Sequence, residues 1–335
     1  MTTRPAITSV TPPRAIEGAR LTIEGSGFDI QAAELPEVRI GGIPARVVSG
    51  APGRLAVLVP AGLPDGGRLP VSVAGVASND ASVELAATFA TGLHQVDNPV
   101  IDREGNLYVT YSGTRGQEVP VSIFRVRPNG TRETFSSGIV NPTSMAISPD
   151  GHLYVSSRFE GAVYRLSDDG VAEPFATDLG VACGLAFDED GALFVGDRTG
   201  TIFKIDPGGR PVAFATLPGS VAAFHLALAP DRTLFVTAPT LSSYDHVYRI
   251  DRAGNVFTLN VRFGRPQGLA FDGAGMLLVT EALAGASGVY RIDPDSNGTS
   301  AAEPVLLGPG LVGLALEKNG GVIVCSNDAA YRFGP

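Results

Sequence analysis

Few side chains in this sequence have the chemistry of a site, and most of those sit at the ends of short apolar runs. Two acids, Asp197 and Glu281, close the runs ALFVGD and LLVTE at matching places. Carboxylates so placed can hold a cation or a polyol, or divide the roles of general acid and base. Each can equally cap its own loop, and Asp197 has Arg198 beside it as an ion-pair partner or as a further ligand-binding group. His225, in AAFHLALAP, opens an apolar run, where an imidazole serves either as a general base or as a hydrogen-bonded packing residue. Asp97, Thr143 and Gln267 precede other apolar runs and offer oxygen atoms to a bound molecule. Asp293, Asp295, Asn297 and Gly298 spell the start of a calcium loop, but Pro304 stands where that loop needs Glu and Glu303 falls one short. A turn with a small insertion is the competing reading. No Ser-His-Asp order, nucleophile elbow, HExxH pair or phosphate-cradling glycine loop occurs.

A repeat must position these residues. The stretch 148–176, SPDGHLYVSSRFEGAVYRLSDDGVAEPFA, reads turn, strand, loop, strand, turn, strand. Its opening recurs as DREGNLYV, SPDGHLYV, DEDGALFV, APDRTLFV, DGAGMLLV and EKNGGVIV. The aligned fourth positions, Gly105, Gly151, Gly191, Arg232, Gly275 and Gly320, are spaced by 46, 40, 41, 43 and 45 residues. A period of about 40 to 50 means four short strands per unit, as in propeller blades. Positions just past the second strand are Tyr111, Ser157, Asp197, Ala238, Glu281 and Ser326; those opening the first strand are Asp97, Thr143, Cys183, Phe224, Gln267 and Val312. Both sets belong to one face and ring the central tunnel, whereas the other face repeats Asp-Gly turns that carry Asp150, Asp169 and Asp190. A small-molecule or protein ligand is therefore expected between Asp97, Asp197, His225, Gln267 and Glu281.

Closure is also written in the chain. TFATGL at 88–93 matches PFATDL at 174–179, the last strand of a blade, while the sixth repeat stops at AAYRFGP without one. The segment before the first blade is expected to supply the missing outer strand, which removes two exposed edges. The fold expected is all-β: a small immunoglobulin-like sandwich over 1–86, then a six-bladed β-propeller over 87–335 closed by strand exchange.

Composition narrows the function classes. The 335 residues are 44% hydrophobic and 18% charged, with 42 Gly and 25 Pro, as suits a buried, turn-rich all-β chain. Net charge is −9 and no Lys/Arg cluster appears, which argues against a nucleic-acid partner. No run of 18 apolar residues suggests a membrane span. The N-terminal MTTRPAITSV lacks the apolar core of a signal peptide, so the chain is expected to be cytoplasmic as written, and secreted if a leader was removed. Cys183 and Cys325 fall in repeats three and six, too far apart in a ring to be bridged, and are expected to be free, buried thiols.

Two resemblances sharpen the reading. ITSVTPPRAIEGARLTIEGSGF resembles the opening of an IPT/TIG domain, an immunoglobulin-like module that is usually a spacer or adhesion unit without catalytic residues. LYVSSRFEGAVYRL and GLAFDEDGALFVGDRTGTIFKID resemble NHL repeats and the related SMP-30/gluconolactonase/LRE-like propellers. Active members of the lactonase group hydrolyse sugar lactones with one divalent cation held by Glu, Asn and Asp in the tunnel. That resemblance implies a calcium, zinc or manganese ion with Asp97 as its metal-binding carboxylate. The sequence departs from the pattern where Cys183, Phe224 and Val312 replace the expected Asn or Asp. The two functional expectations are thus a recognition propeller and a lactone hydrolase with a degenerate metal site.

Overall fold

The computed structural model describes residues 4–31, 35–93, 98–295 and 301–334, without the side chains of 77–80. Among them every regular element is a strand, and no helix is long and apolar enough to cross a membrane. In the N-terminal domain, Arg20–Ser26 alternates in and out of the core, with Leu21 and Ile23 fully buried. They pack on Val38, Ile40, Leu55, Val57, Val71, Val73 and Val83, drawn from the other strands of the sandwich.

Five free-standing four-stranded antiparallel sheets follow the blade pattern. They begin at Val100–Ile101, Pro142–Ile147, Ala182–Phe187, His225–Leu228 and Gly313–Leu316. This corrects the expected count of six such blades. The strands of the fifth repeat, Pro266–Phe271, Leu277–Glu281, Gly288–Ile292 and Glu303–Leu307, do not form a separate sheet. They are the far end of a twelve-stranded sheet that continues into the N-terminal domain. The physical reason is the free outer edge of Glu303–Leu307, which the two-residue strand Arg14–Ala15 captures in parallel. The same short strand pairs in parallel with Val76–Leu85 on its other side.

That seam is well packed. The Ile16 amide donates to the Leu307 carbonyl at 3.0 Å, and Arg14 pairs with Glu84 at 3.0 Å. A side chain at Gly308 would put its Cβ 2.3 Å from Ile16, so glycine is what lets the two domains approach. Ile16 and Ala86 share one apolar cluster with Leu306, Leu311, Leu314 and Phe333. The sandwich and the ring are joined by backbone hydrogen bonds and core contacts at this seam, in place of a loose linker.

Strand exchange closes the ring as expected. Ala87–Thr91 pairs antiparallel with Ala329–Phe333 as the outermost strand of the last sheet. The Leu93 amide continues the ladder to the Asp328 carbonyl at 2.8 Å. Phe89, Ala90 and Leu93 are buried with Leu107 and Val109 of the first sheet and Ile323 and Cys325 of the last. Arg332 lies over the Phe89 ring at 4.1 Å. Burying a Phe and a Leu together contributes about 3–6 kcal/mol. Deleting residues 1–93 should therefore lower the melting temperature by roughly 10 °C or more relative to deleting 1–86. Thermal denaturation of the two truncations checks this, and equal melting temperatures would refute the closure.

Candidate functional site

The two acids expected to face a ligand accept hydrogen bonds both from their own loops and from the connections that enter the first strands. Asp197 Oδ1 accepts the amides of Val181 at 2.8 Å and Thr199 at 3.1 Å, and its Oδ2 accepts the Thr199 hydroxyl. Glu281 accepts three amides, from Gly264, from Arg265 at 2.8 Å and from Leu283 at 2.7 Å. The carboxylates are only 4% and 3% exposed. Three donors to a group with about four acceptor sites leave little capacity for a ligand. The buried connections need those acceptors, because an unpaired buried amide costs about 1–3 kcal/mol. Other repeats meet the same demand differently. Ser157 Oγ accepts the Glu160 amide at 3.2 Å and donates to the Val140 carbonyl at 2.6 Å, and Asp245 accepts the amide and hydroxyl of Thr240. Burial, and then the nearby Glu281 carboxylate, raise the Tyr290 phenol above its ordinary value; burial and Asp245 do the same to Tyr248.

The residues opening the first strands are buried as well. Thr143 donates to the Asn141 carbonyl at 3.1 Å, and Gln267 and His225 are 5% and 1% exposed. His225 sits at the start of its strand, opposite Thr237. Arg198 is exposed, and its backbone bridges the Val181 carbonyl and the Ser220 amide. Asp97 lies outside the described residues, as do His94, Asn297 and Gly298; the calcium-loop reading therefore stays with the sequence. Cys183 and Cys325 are both buried and form no disulfide with each other, and burial pushes the Cys325 thiol well up.

What the polar residues at this depth do is join neighbouring blades. Thr110, Ser156 and Thr237 hold matching places in their second strands and donate to the carbonyls of Thr143, Cys183 and Gln267 in the next first strand. Gly196 occupies that place in the third repeat and makes room for the Phe224 ring, which would lie 2.8 Å from an added Cβ. Thr280 occupies it in the fifth, yet its hydroxyl finds no hydrogen-bond partner among the described residues. The Val312 carbonyl in the following first strand accepts the Gly268 amide at 2.9 Å.

An open concavity lies at the opposite end of the tunnel. A cavity of about 390 Å³ is lined by the final residues of the first strands, on the face of the Asp-Gly turns. Ala146, Ala186, Ala227, Ala270 and Ala315 occupy equivalent positions in its wall. Asp197 and Glu281 are buried and hydrogen-bonded to backbone amides, and His225 and Gln267 are buried, whereas this funnel opens to solvent. The signal was present in the sequence as the recurring Met/Leu-Ala-apolar step of MAI, LAF, LAL, LAF and LAL.

Comparison with known proteins supports the architecture. Residues 5–89 match the family model of the IPT/TIG domain. No curated protein sequence matches the chain. Among solved structures, an auxiliary nutrient binding protein from Bacteroides thetaiotaomicron aligns over 99% of this chain and 98% of its own, with 14% identity and a TM-score of 0.57. A gluconolactonase from Xanthomonas campestris aligns over 74% of this chain and 89% of its own, with 16% identity and a TM-score of 0.59. Virginiamycin B lyase from Staphylococcus aureus aligns over 72% and 95%, with 12% identity and a TM-score of 0.50. Likeness at these identities establishes the fold alone.

The hydroxyl ladder between blades yields a paired expectation. Thr237→Val should destabilise the protein by about 1–2 kcal/mol, whereas Thr280→Val should be neutral or stabilising, because it removes a buried hydroxyl that has no partner. Denaturant unfolding of both variants measures the difference. Equal losses would contradict the assignment.

Proposed function

We propose that this chain is a non-catalytic recognition propeller whose N-terminal domain is a fixed part of the scaffold. The observation that carries the reading is the commitment of Asp197 and Glu281 to buried backbone amides of their own loops and of the connections entering the first strands. A general acid or base must exchange a proton with substrate within hydrogen-bond reach, and these carboxylates are turned away from any open surface. The full-length likeness to a nutrient binding protein, which spans both domains, supports the same reading.

Lactone hydrolysis is the second reading, favoured by the likeness of the ring to a gluconolactonase. It requires a divalent cation with several oxygen ligands. Thr143 and Gln267 supply neutral oxygens at the matching positions, but Cys183, Phe224 and Val312 supply none that suits a hard ion. Among the described residues no group of three or more His, Cys, Asp or Glu could hold a metal. The donor set does not fit the ion, and no catalytic step is derived through one.

Separate assays of stability and turnover discriminate the readings. Asp197→Asn and Glu281→Gln should each cost roughly 1–3 kcal/mol of stability, because a buried acceptor is weakened or misaligned. The parent protein should hydrolyse sugar lactones no faster than buffer, with or without added calcium, zinc or manganese. Metal-dependent turnover that disappears in Asp97→Ala, with the fold intact, would replace recognition by hydrolysis.

A further inference from the structure

We propose that the axial funnel on the turn face binds one uncharged, largely apolar small molecule that carries a hydrogen-bond donor at its inner end. The proposal rests on the recognition reading above and adds the site and the ligand class. The wall comes first. Five repeats place alanine at the same step of the first strand, at 146, 186, 227, 270 and 315. Larger side chains there would narrow the axis; alanine leaves about 390 Å³, within the range of roughly 300–1,000 Å³ usual for small-molecule pockets. Ile101, Ile147, Leu228, Phe271 and Leu316 continue the wall towards the mouth and are only partly buried. Their apolar surface faces water unless something covers it.

Side-chain polarity is concentrated at one point. Asn98 is the one polar side chain among the described residues that line the funnel. Its Nδ2 donates one hydrogen to the Ser144 hydroxyl at 2.8 Å, and its Oδ1 is the acceptor that the side chain adds to the site. An acceptor at the floor of an apolar funnel selects a ligand with a matching donor. The walls add backbone groups, because the first strands are the inner edges of their sheets and face the axis with few cross-links such as Asn98 to Ser144 and Gly268 to Val312.

The rim decides the charge. The turn acids are numerous, but strand and turn cations answer them: Asp188 meets Lys204 at 3.5 Å, Asp190 meets Arg232 at 2.6 Å, Glu317 meets Arg332 at 2.9 Å, and Asp272 pairs with Arg291. Asp188 and Asp272 also accept two backbone amides each within their turns. The acids so compensated offer little counter-charge to an ion, and bringing an ion against the apolar wall would cost its hydration. An uncharged ligand is what remains.

The sequence contains no tryptophan, so Leu316→Trp introduces a sole indole at the mouth of the funnel. The probes are N-phenyl-1-naphthylamine, which is neutral and carries one N–H, and its sulfonated relative 8-anilinonaphthalene-1-sulfonate. The neutral probe should bind at one equivalent with a Kd of about 1–10 μM and accept energy transfer from the indole, and the sulfonate should bind at least about tenfold more weakly. Asn98→Leu should weaken the neutral probe by about fivefold, and Leu228→Asp by more than about tenfold, while Val212→Ser on an exposed outer strand leaves it unchanged. Melting curves establish that each variant is folded. If Leu228→Asp unfolds, energy transfer and Asn98→Leu still decide the matter. Saturable binding without energy transfer, equal affinity for the sulfonate, or no saturable binding up to about 100 μM would each overturn the site. Lactone turnover would instead overturn the recognition reading and leave the probe result standing, so the two failures are distinguishable.

Discussion

A propeller whose last repeat carries only three strands must find a fourth, or leave a sheet edge open to solvent and to other chains. Here the fourth strand comes from residues just ahead of the first blade. That single pairing ties the beginning of the ring to its end and brings Phe89 and Leu93 into a core shared by the first and last sheets. It also fixes where the N-terminal domain must stand, because only Ala86 separates Val76–Leu85 of that domain from the exchanged strand. The seam along Arg14–Ala15 follows from the same placement. With the domain held against the ring, a short stretch of extended backbone reaches the free edge of Glu303–Leu307. One sheet then runs through both domains.

The chemistry of the loop face follows from a second constraint, the need of buried backbone for partners. Connections that dip toward the tunnel bring amides away from water, and side chains at the ends of the second strands must accept from them. Asp197 and Glu281 do so as carboxylates and Ser157 as a hydroxyl, while in the fourth repeat Asp245, at the start of the third strand, accepts the Thr240 amide. The same residues in another loop conformation would be a candidate catalytic set. Which role an acid takes is decided by whether its oxygens face amides or open space.

The opposite face shows how a charged sequence can present an uncharged cavity. Recurring Arg or Lys residues in the third strands lie beside the acids of the turns and compensate them. The aromatic rings beneath, such as Tyr154 edge-on to Phe187 and Phe235 edge-on to Phe271, fill the space between neighbouring blades. Much of what makes the repeat recognisable, the Tyr/Phe-Arg/Lys step and the Asp-Gly turn, thus serves blade packing and turn geometry. The alanine step is different, since it holds space open at the axis.

Some of this was legible in residues alone. The period of the Asp-Gly turns and the alternating runs around them determined the all-β ring, because turn chemistry and strand alternation are local properties of a chain. The match of TFATGL to the other outer strands likewise determined the closure. The opening ITSVTPP and the GSGF turn were enough to mark the N-terminal domain. Three things were settled only in the folded molecule. The fifth repeat lost its independence to Arg14–Ala15, a pairing of two residues that carries no pattern of its own. Asp197 and Glu281 accept buried backbone amides, and a concavity opens at the alanine end of the tunnel. Sequence position gives the identity of a side chain and its place along a strand. The direction of its oxygens, the partner of a sheet edge and the space left at an axis depend on residues far away in the chain, and only the tertiary structure brings those together.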